Sequence, residues 1–288
     1  MWQRVFLALI GCLSFSLQAE LRHFVADIEV SQWHLSQDNP LSCQLEHDIP
    51  AYGKAVFTSH ASKENNLNFS LDMWIKPNKV TQVQLISIAP TWRPGKVSEP
   101  ITALSYQQSF NGEVSDGIAW SMLTQLKSGM QPTFYYNDWY NAQNQVAVGL
   151  SSVNFNAGFR AFKACVAKLL PYSFEDIAFT VLSYRVGSKE LTSYAQSQLN
   201  KIKAYFVFDP SVELVLIDAY SDSYGSRSSN QTLSQRRADA VKALLMESGI
   251  EEGRILTVAH GEKRYVASNR SMDERAKNRR VVIRITKS

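Results

Sequence analysis

Histidine is sparse in this 288-residue chain and cysteine sparser, with five of the first and three of the second. The histidines stand apart at 23, 34, 47, 60 and 260, and no H-E-x-x-H, G-x-S-x-G or P-loop pattern occurs. Metal-activated water, an activated nucleophile and a Gly-rich phosphate cradle each need such a grouping. The chain therefore reads as a non-enzyme, with no catalytic residue and no cofactor. No C-x-x-C or Cys/His spacing points to a zinc site. Low-complexity tracts and long charge runs are missing too, and 45% apolar with 19% charged residues is ordinary for a folded protein. The net charge of +4 is mild, so no nucleic-acid partner is expected.

At its N-terminus the chain carries Arg4, an apolar run from Val5 to Leu17, and then Gln18-Ala19-Glu20. One positive charge, a short apolar stretch and a small residue before an acidic one describe a secretory signal peptide over 1–19, cleaved after Ala19. The run is shorter than the roughly 20 apolar residues a spanning helix needs, and no later stretch could span a bilayer. The alternative reading is a lipoprotein acylated at Cys12, because Leu9-Ile10-Gly11-Cys12 looks like a lipobox. Export leaves Cys43 and Cys165, an even count for an oxidising compartment. A bridge between them and two separate buried thiols are both compatible with the sequence.

The length exceeds one average core and suits two domains. From Phe24 to about Ser152 the signals are those of short strands. Leu67, Phe69, Leu71, Met73 and Ile75 alternate with polar neighbours in the period-2 pattern of a half-buried strand. Val83 to Ala89 gives a second run, stopped by Pro90, and Gln145 to Leu150 a third. Loops are expected at Pro90 to Gly95 and at Pro132 to Tyr136, where aromatics stand beside strand-stopping residues. Their rings either cap a barrel or sandwich core or form a docking surface. Phe159, Phe162, Val166, Leu169 and Leu170 then recur at helical spacing until Pro171. A domain boundary is placed there, giving a β-rich domain over 20–170 and a second domain over 171–288.

In the second domain, strands at 177–182, 212–219, 255–258 and 281–285 alternate with helices at 191–206 and 231–246. That alternation implies an α/β layer with crossover connections. Overall the fold class is α+β in two domains, a barrel- or sandwich-like β-rich one followed by an α/β sandwich. Asp222 falls just past a strand end, Gly225 supplies the turn into the next helix, and such edges are usual places for ligands. On that helix Arg237 lies four residues from both Leu233 and Val241, inside the apolar face. A buried guanidinium needs a carboxylate nearby, because stranding one charge of a buried pair costs roughly 3 to 5 kcal/mol. Either Asp222 and Arg237 pair with each other, or together they hold a zwitterion, Asp222 taking an ammonium and Arg237 a carboxylate. Diaminopimelate of Gram-negative peptidoglycan carries both groups.

The spacing S-D-x-x-G-x-x-x-x-N-x-x-L-S-x-R-R-A from Ser221 to Ala238, with Gly261-Glu262 and Asn278-Arg279-Arg280-Val281, resembles the OmpA C-terminal peptidoglycan-binding family. That resemblance implies an OmpA-like α/β sandwich over about 172–288 and a peptidoglycan site at Asp222 and Arg237. Asn230 would order the loop before the helix, and Arg279 and Arg280 match a pair that is more often structural. The chain departs from the pattern at Ala219, usually Gly, and at Tyr184-Arg185-Val186-Gly187.

Further segments, among them Cys43-Gln44-Leu45, Pro50 to Phe57, Thr91 to Gly95, Ser151 to Phe155 and Tyr172 to Thr180, are similar to the MotY family of sodium-driven flagellar motor proteins. This second resemblance implies a Cys43–Cys165 disulfide and a location in the periplasm, on the outer membrane side of the cell wall. It also implies an N-terminal domain docked on the flagellar basal body and a MotX-like partner, forming the T-ring that holds stator subunits.

Overall fold

The structure, a computed structural model, describes residues 20–185, 190–209 and 211–287, with Val212 through its backbone alone. The expected signal peptide, Cys12 and the Val186-Gly187 pair lie outside the described residues. No described helix is long and apolar enough to cross a membrane.

The β-rich half runs β1 (Leu21–Phe24), β2 (His34–Asn39), β3 (Ser42–Ile49), β4 (Gly53–His60), β5 (Asn68–Met73), β6 (Thr81–Ile88), β7 (Glu99–Tyr106), β8 (Gly112–Val114), α1 (Asp116–Lys127), β9 (Gln131–Asn137), β10 (Gln145–Gly149) and α2 (Phe155–Val166). It forms two five-stranded sheets, β1-β10-β9-β6-β7 and β2-β3-β4-β5-β8. Neither sheet closes on itself, so the barrel alternative falls away.

Alternation works as expected around β5, where Leu67 just before the strand and Phe69, Leu71 and Met73 within it are buried, but the strand ends there and leaves Ile75 exposed. The segment from Pro132 to Tyr136 is not a loop; it is the body of β9. Proline survives in it because its carbonyl still accepts, from the Leu150 amide at 2.9 Å, and only a donor is lost. Phe134 and Tyr136 are core residues, and Tyr135 between them is half-buried. Phe134 stacks on Phe69 at 5.7 Å between ring centroids, and Tyr136 stacks on Trp139 at 4.8 Å.

The remaining elements are α3 (Glu175–Ala178), β11 (Phe179–Ser183), α4 (Ser193–Phe206), β12 (Val212–Tyr220), α5 (Arg227–Met246), β13 (Ile255–Gly261), α6 (Met272–Asn278) and β14 (Arg280–Lys287). Their sheet has the order β11-β14-β12-β13. β12 and β13 are parallel with α5 between them, and β14 runs antiparallel to β11 and β12. Ile217, Ala219, Ile283 and Val281 from the sheet share one apolar cluster with Leu199 and Ile202 of α4 and Val241 and Leu245 of α5. Burying each such aliphatic side chain contributes roughly 1.5 to 3 kcal/mol.

The chain divides into two compact units. One holds the described residues up to Gln32 with His47–Val56 and Phe69–Phe155; the other holds Trp33–Glu46, Phe57–Asn68 and the described residues from Asn156 on. Within the second unit a disulfide joins Cys43 of β3 to Cys165 of α2, with Cα atoms 5.9 Å apart. Lys63 pairs there with Asp176, and the Leu170 amide donates to the Pro40 carbonyl at 2.8 Å.

Candidate functional site

The sequence-predicted residues gather where β12 ends. Ser221 and Asp222 leave the strand, the Ser221 amide donates to the Gly261 carbonyl at 2.7 Å, and Gly225 turns the chain at φ +107°. Ser226 then caps α5, its hydroxyl accepting from the Ser229 amide. Asn230 is buried in the first turns of that helix, where its Nδ2 donates to Glu262 Oε2 at 2.8 Å. It therefore ties the helix start to the segment after β13, and its Oδ1 lies 3.9 Å from where a Cβ on Gly225 would stand.

Arg237 is 6% exposed, on the apolar face where its spacing placed it. Its Nη1 donates to the Tyr220 carbonyl at 3.3 Å and its guanidinium lies over the Tyr184 ring at 4.2 Å. No ion pair joins it to Asp222. The direct pairing of those two residues, open from sequence, is not what the chain forms. Asp222 instead accepts from Arg279 Nη1 at 2.8 Å through one oxygen and from the Tyr224 amide at 3.2 Å through the other. Arg237 Nε is buried with no acceptor among the described residues, and so are Nε and Nη2 of Arg279.

Burial pulls the Arg237 guanidinium below its ordinary proton affinity; Tyr184 opposes this, Arg279 adds like-charge repulsion, and Asp222 opposes. The same burial pushes the Tyr184 hydroxyl up to about 12 against the pull of Arg237, so the ring stays neutral. An arginine does not shed its proton in a protein. The two guanidinium groups therefore stay charged beside a single carboxylate.

The Asn278-Arg279-Arg280 run separates into three jobs. Asn278 is fully buried, and its Oδ1 accepts from the amides of Val266 and Ala267 while its Nδ2 donates to Asn269 at 3.0 Å. Asn269 in turn accepts from the Ser223 amide, next to Asp222. Arg280 stacks on the Tyr220 ring at 3.8 Å and donates to the Arg264 and Asn278 carbonyls, a structural role. Arg279 alone reaches the site. Tyr184 and Arg279 are the residues that periodicity does not reveal, since each meets its partner only through the tertiary fold.

The Asp222 loop and the arginine of the following helix lie within residues 183–279, which match the OmpA family. Residues 24–171 match the MotY N-terminal domain. The chain is 40% identical to the sodium-type flagellar protein MotY of Vibrio parahaemolyticus, over 97% of this chain and 94% of that one. It belongs to the MotY family. A peptidoglycan-associated lipoprotein of Buchnera aphidicola is 30% identical over 55% of the chain and 82% of its own length. Outer membrane porin F of Pseudomonas aeruginosa is 47% identical over 23% of the chain and 19% of its own length.

Proposed function

We propose that this chain is a periplasmic structural protein of the sodium-driven polar flagellar motor, tied to the cell wall through the Asp222–Arg237 site. In this reading the module over 171–288 holds the zwitterionic end of diaminopimelate, with the ammonium on Asp222 and the carboxylate on Arg237. The β-rich module over 20–170 docks on the basal body and a MotX-like protein, so that the assembled ring holds stator subunits. The observation that carries the wall-binding role is Arg237, buried and charged with Nε left without an acceptor among the described residues. Asp222 has room for an ammonium, because each carboxylate oxygen has two lone pairs and each has accepted one bond.

The motor assignment is favoured over a general envelope lipoprotein acylated at Cys12 by family membership, which spans the N-terminal half as well as the OmpA domain. Mass spectrometry of the mature N-terminus separates the two, since the motor reading expects a chain starting at Glu20.

Co-sedimentation with purified sacculi tests the wall-binding site. Wild type should pellet with sacculi, and Asp222→Asn, shown to be folded by circular dichroism, should stay in the supernatant. Equal pelleting of both proteins, or of neither, would remove Asp222 from the binding role.

A further inference from the structure

One face of the β11-β14-β12-β13 sheet is core, where Leu182, Val281, Ile283, Ile217 and Ala219 pack with residues of α4 and α5. Successive side chains of a strand point to opposite faces, and a sheet covered on one side turns polar residues outward on the other. Here the outer face is apolar as well. It carries the cross-strand partners Val181 and Val282, the partners Leu216 and Leu256, and Phe179 and Val258. Phe179 is 63% exposed and Leu256 52%, with Val181 and Val258 exposed too. Single apolar residues on a surface need no explanation, but a contiguous apolar patch marks a place where another molecule sits. The same face carries charge of one sign. Part of it is a groove of about 540 Å³, lined by Arg264, Lys277, Arg280 and Arg284 with the single carboxylate of Asp218. That carboxylate is already engaged by Arg284 and His260. Arg280 donates to the Arg264 and Asn278 carbonyls, and Arg264 and Lys277 are exposed with no ion pair among the described residues. Four cations against one engaged anion leave a surplus of positive charge beside the apolar patch.

We propose that this outer sheet face docks an amphipathic segment of another protein, apolar along the side it buries and carrying Asp or Glu against Arg264, Lys277 and Arg284. Charge complementarity selects that occupant. A second copy of the chain would bring four more cations into the same interface, where like charges cost several kcal/mol. Peptidoglycan, built of sugars and short polar peptides, has no large apolar surface with which to cover Phe179 and Leu256. A bilayer takes up a protruding apolar face, whereas Phe179, Val181 and Val282 line a groove. None of these residues is Asp222, Asn230, Arg237 or Arg279, so the docking face does not depend on the wall-binding reading.

The test is a fluorescence-anisotropy titration of the mature full chain with two short labelled amphipathic peptides, one of leucine and glutamate and the other with lysine at every glutamate. Wild type should bind the glutamate peptide about tenfold tighter than the lysine peptide, and the preference should shrink as salt rises. Arg264→Glu combined with Lys277→Glu should abolish that preference. Phe179→Ser combined with Val181→Ser should weaken binding of the glutamate peptide by about tenfold, the loss expected from removing buried apolar anchors. All four positions are exposed, so both double variants should keep the wild-type circular dichroism. Wild type that binds the two peptides equally, or binds neither, would overturn the proposal, and so would a folded variant of either kind with unchanged affinity for the glutamate peptide. Wild type that sediments as a dimer, with the Phe179→Ser, Val181→Ser protein a monomer, would overturn it in favour of a second copy. Flotation with phosphatidylglycerol vesicles, lost in that same variant, would overturn it in favour of a lipid surface.

Discussion

Tyr106 in the β-rich unit and Arg237 in the α/β unit are both almost wholly buried, and each keeps a donor with no acceptor among the described residues. The two have different meanings. Tyr106 packs edge-on against Tyr136 at 5.7 Å between ring centroids, close to the hydrogen-bonded Tyr52 and Tyr136 hydroxyls, which are 3.0 Å apart. Burial pushes the Tyr106 hydroxyl far above its ordinary value, with the neighbouring Tyr136 adding to the rise, so it stays neutral at every relevant pH. An unmade bond on a neutral phenol costs about 1 to 3 kcal/mol, which the burial of so large a ring offsets. The guanidinium of Arg237 has no neutral form to retreat to, and Asp222, the carboxylate whose charge it feels, is already held by Arg279. A neutral orphan reports packing; under the proposed wall-binding reading, a charged orphan beside a second cation is where a ligand carboxylate binds.

That contrast requires stability and binding to be removable separately. The largest effect on stability is expected from removing the disulfide. Its sequence separation is 122 residues, and the chain-entropy model gives on the order of 4 to 5 kcal/mol for such a loop. Urea denaturation of a Cys43→Ala, Cys165→Ala protein should show a loss of that order. Its sacculus binding should persist wherever circular dichroism shows it folded. Binding lost from a folded double variant would tie the site to the bridge and dissolve the contrast.

Arg237→Met should do the reverse. Replacing a buried charge by an apolar side chain of similar size is often neutral or stabilising, so its unfolding free energy should stay level or rise by about 1 kcal/mol. Co-sedimentation with sacculi should fall by about tenfold or more, the loss expected for a charged hydrogen bond. A variant destabilised by several kcal/mol would mean that Arg237 serves the fold.

The sequence exposed the parts of this comparison unequally. The β12–α5 unit was legible because Asp222, Gly225 and Arg237 lie within one strand–turn–helix stretch, where spacing alone sets which face each occupies. Arg279 reaches Asp222 across 57 residues, a pairing no periodicity encodes. α1 escaped notice although Ala119, Met122, Leu123 and Leu126 recur at helical spacing and are buried. Its twelve residues are embedded among strands and begin with Asp116-Gly117, which reads as a turn. α6 is a seven-residue helix held by a capping box between Ser271 and Glu274, too short to show an amphipathic period. At β9 a proline read as a strand stop proved compatible with the ladder.

Asp218, four residues before Asp222, sharpens the charged side of the comparison because its own oxygens are engaged. Its Oδ1 meets His260 Nε2 at 2.8 Å and its Oδ2 meets Arg284 Nη2 at 2.5 Å. Burial works against its ionisation, but the bonds from His260 and Arg284 outweigh it and hold the carboxyl below the usual carboxylate range. A depressed folded value contributes stability that is present above the unfolded value, near 3.9, and lost as the pH falls through the folded one. Asp218→Asn should therefore cost about 2 kcal/mol at neutral pH and lose less on acidification than wild type. The two stability curves should converge below about pH 4. Its sacculus binding should match wild type, and a large binding defect would extend the site down β12.

The smallest effect belongs to the phenol. Tyr106→Phe removes a hydroxyl that has no acceptor among the described residues and leaves the ring, with its contacts to Tyr136 and Phe134, in place. Deleting an unsatisfied donor without changing shape is nearly neutral or stabilising, so unfolding should shift by no more than about 1 kcal/mol, upward if at all. A loss of 2 kcal/mol or more would show that the hydroxyl has a partner, such as a buried water. The orphan in the β-rich unit would then be a satisfied polar group, and its contrast with the charged donors of Arg237 and Arg279 would widen.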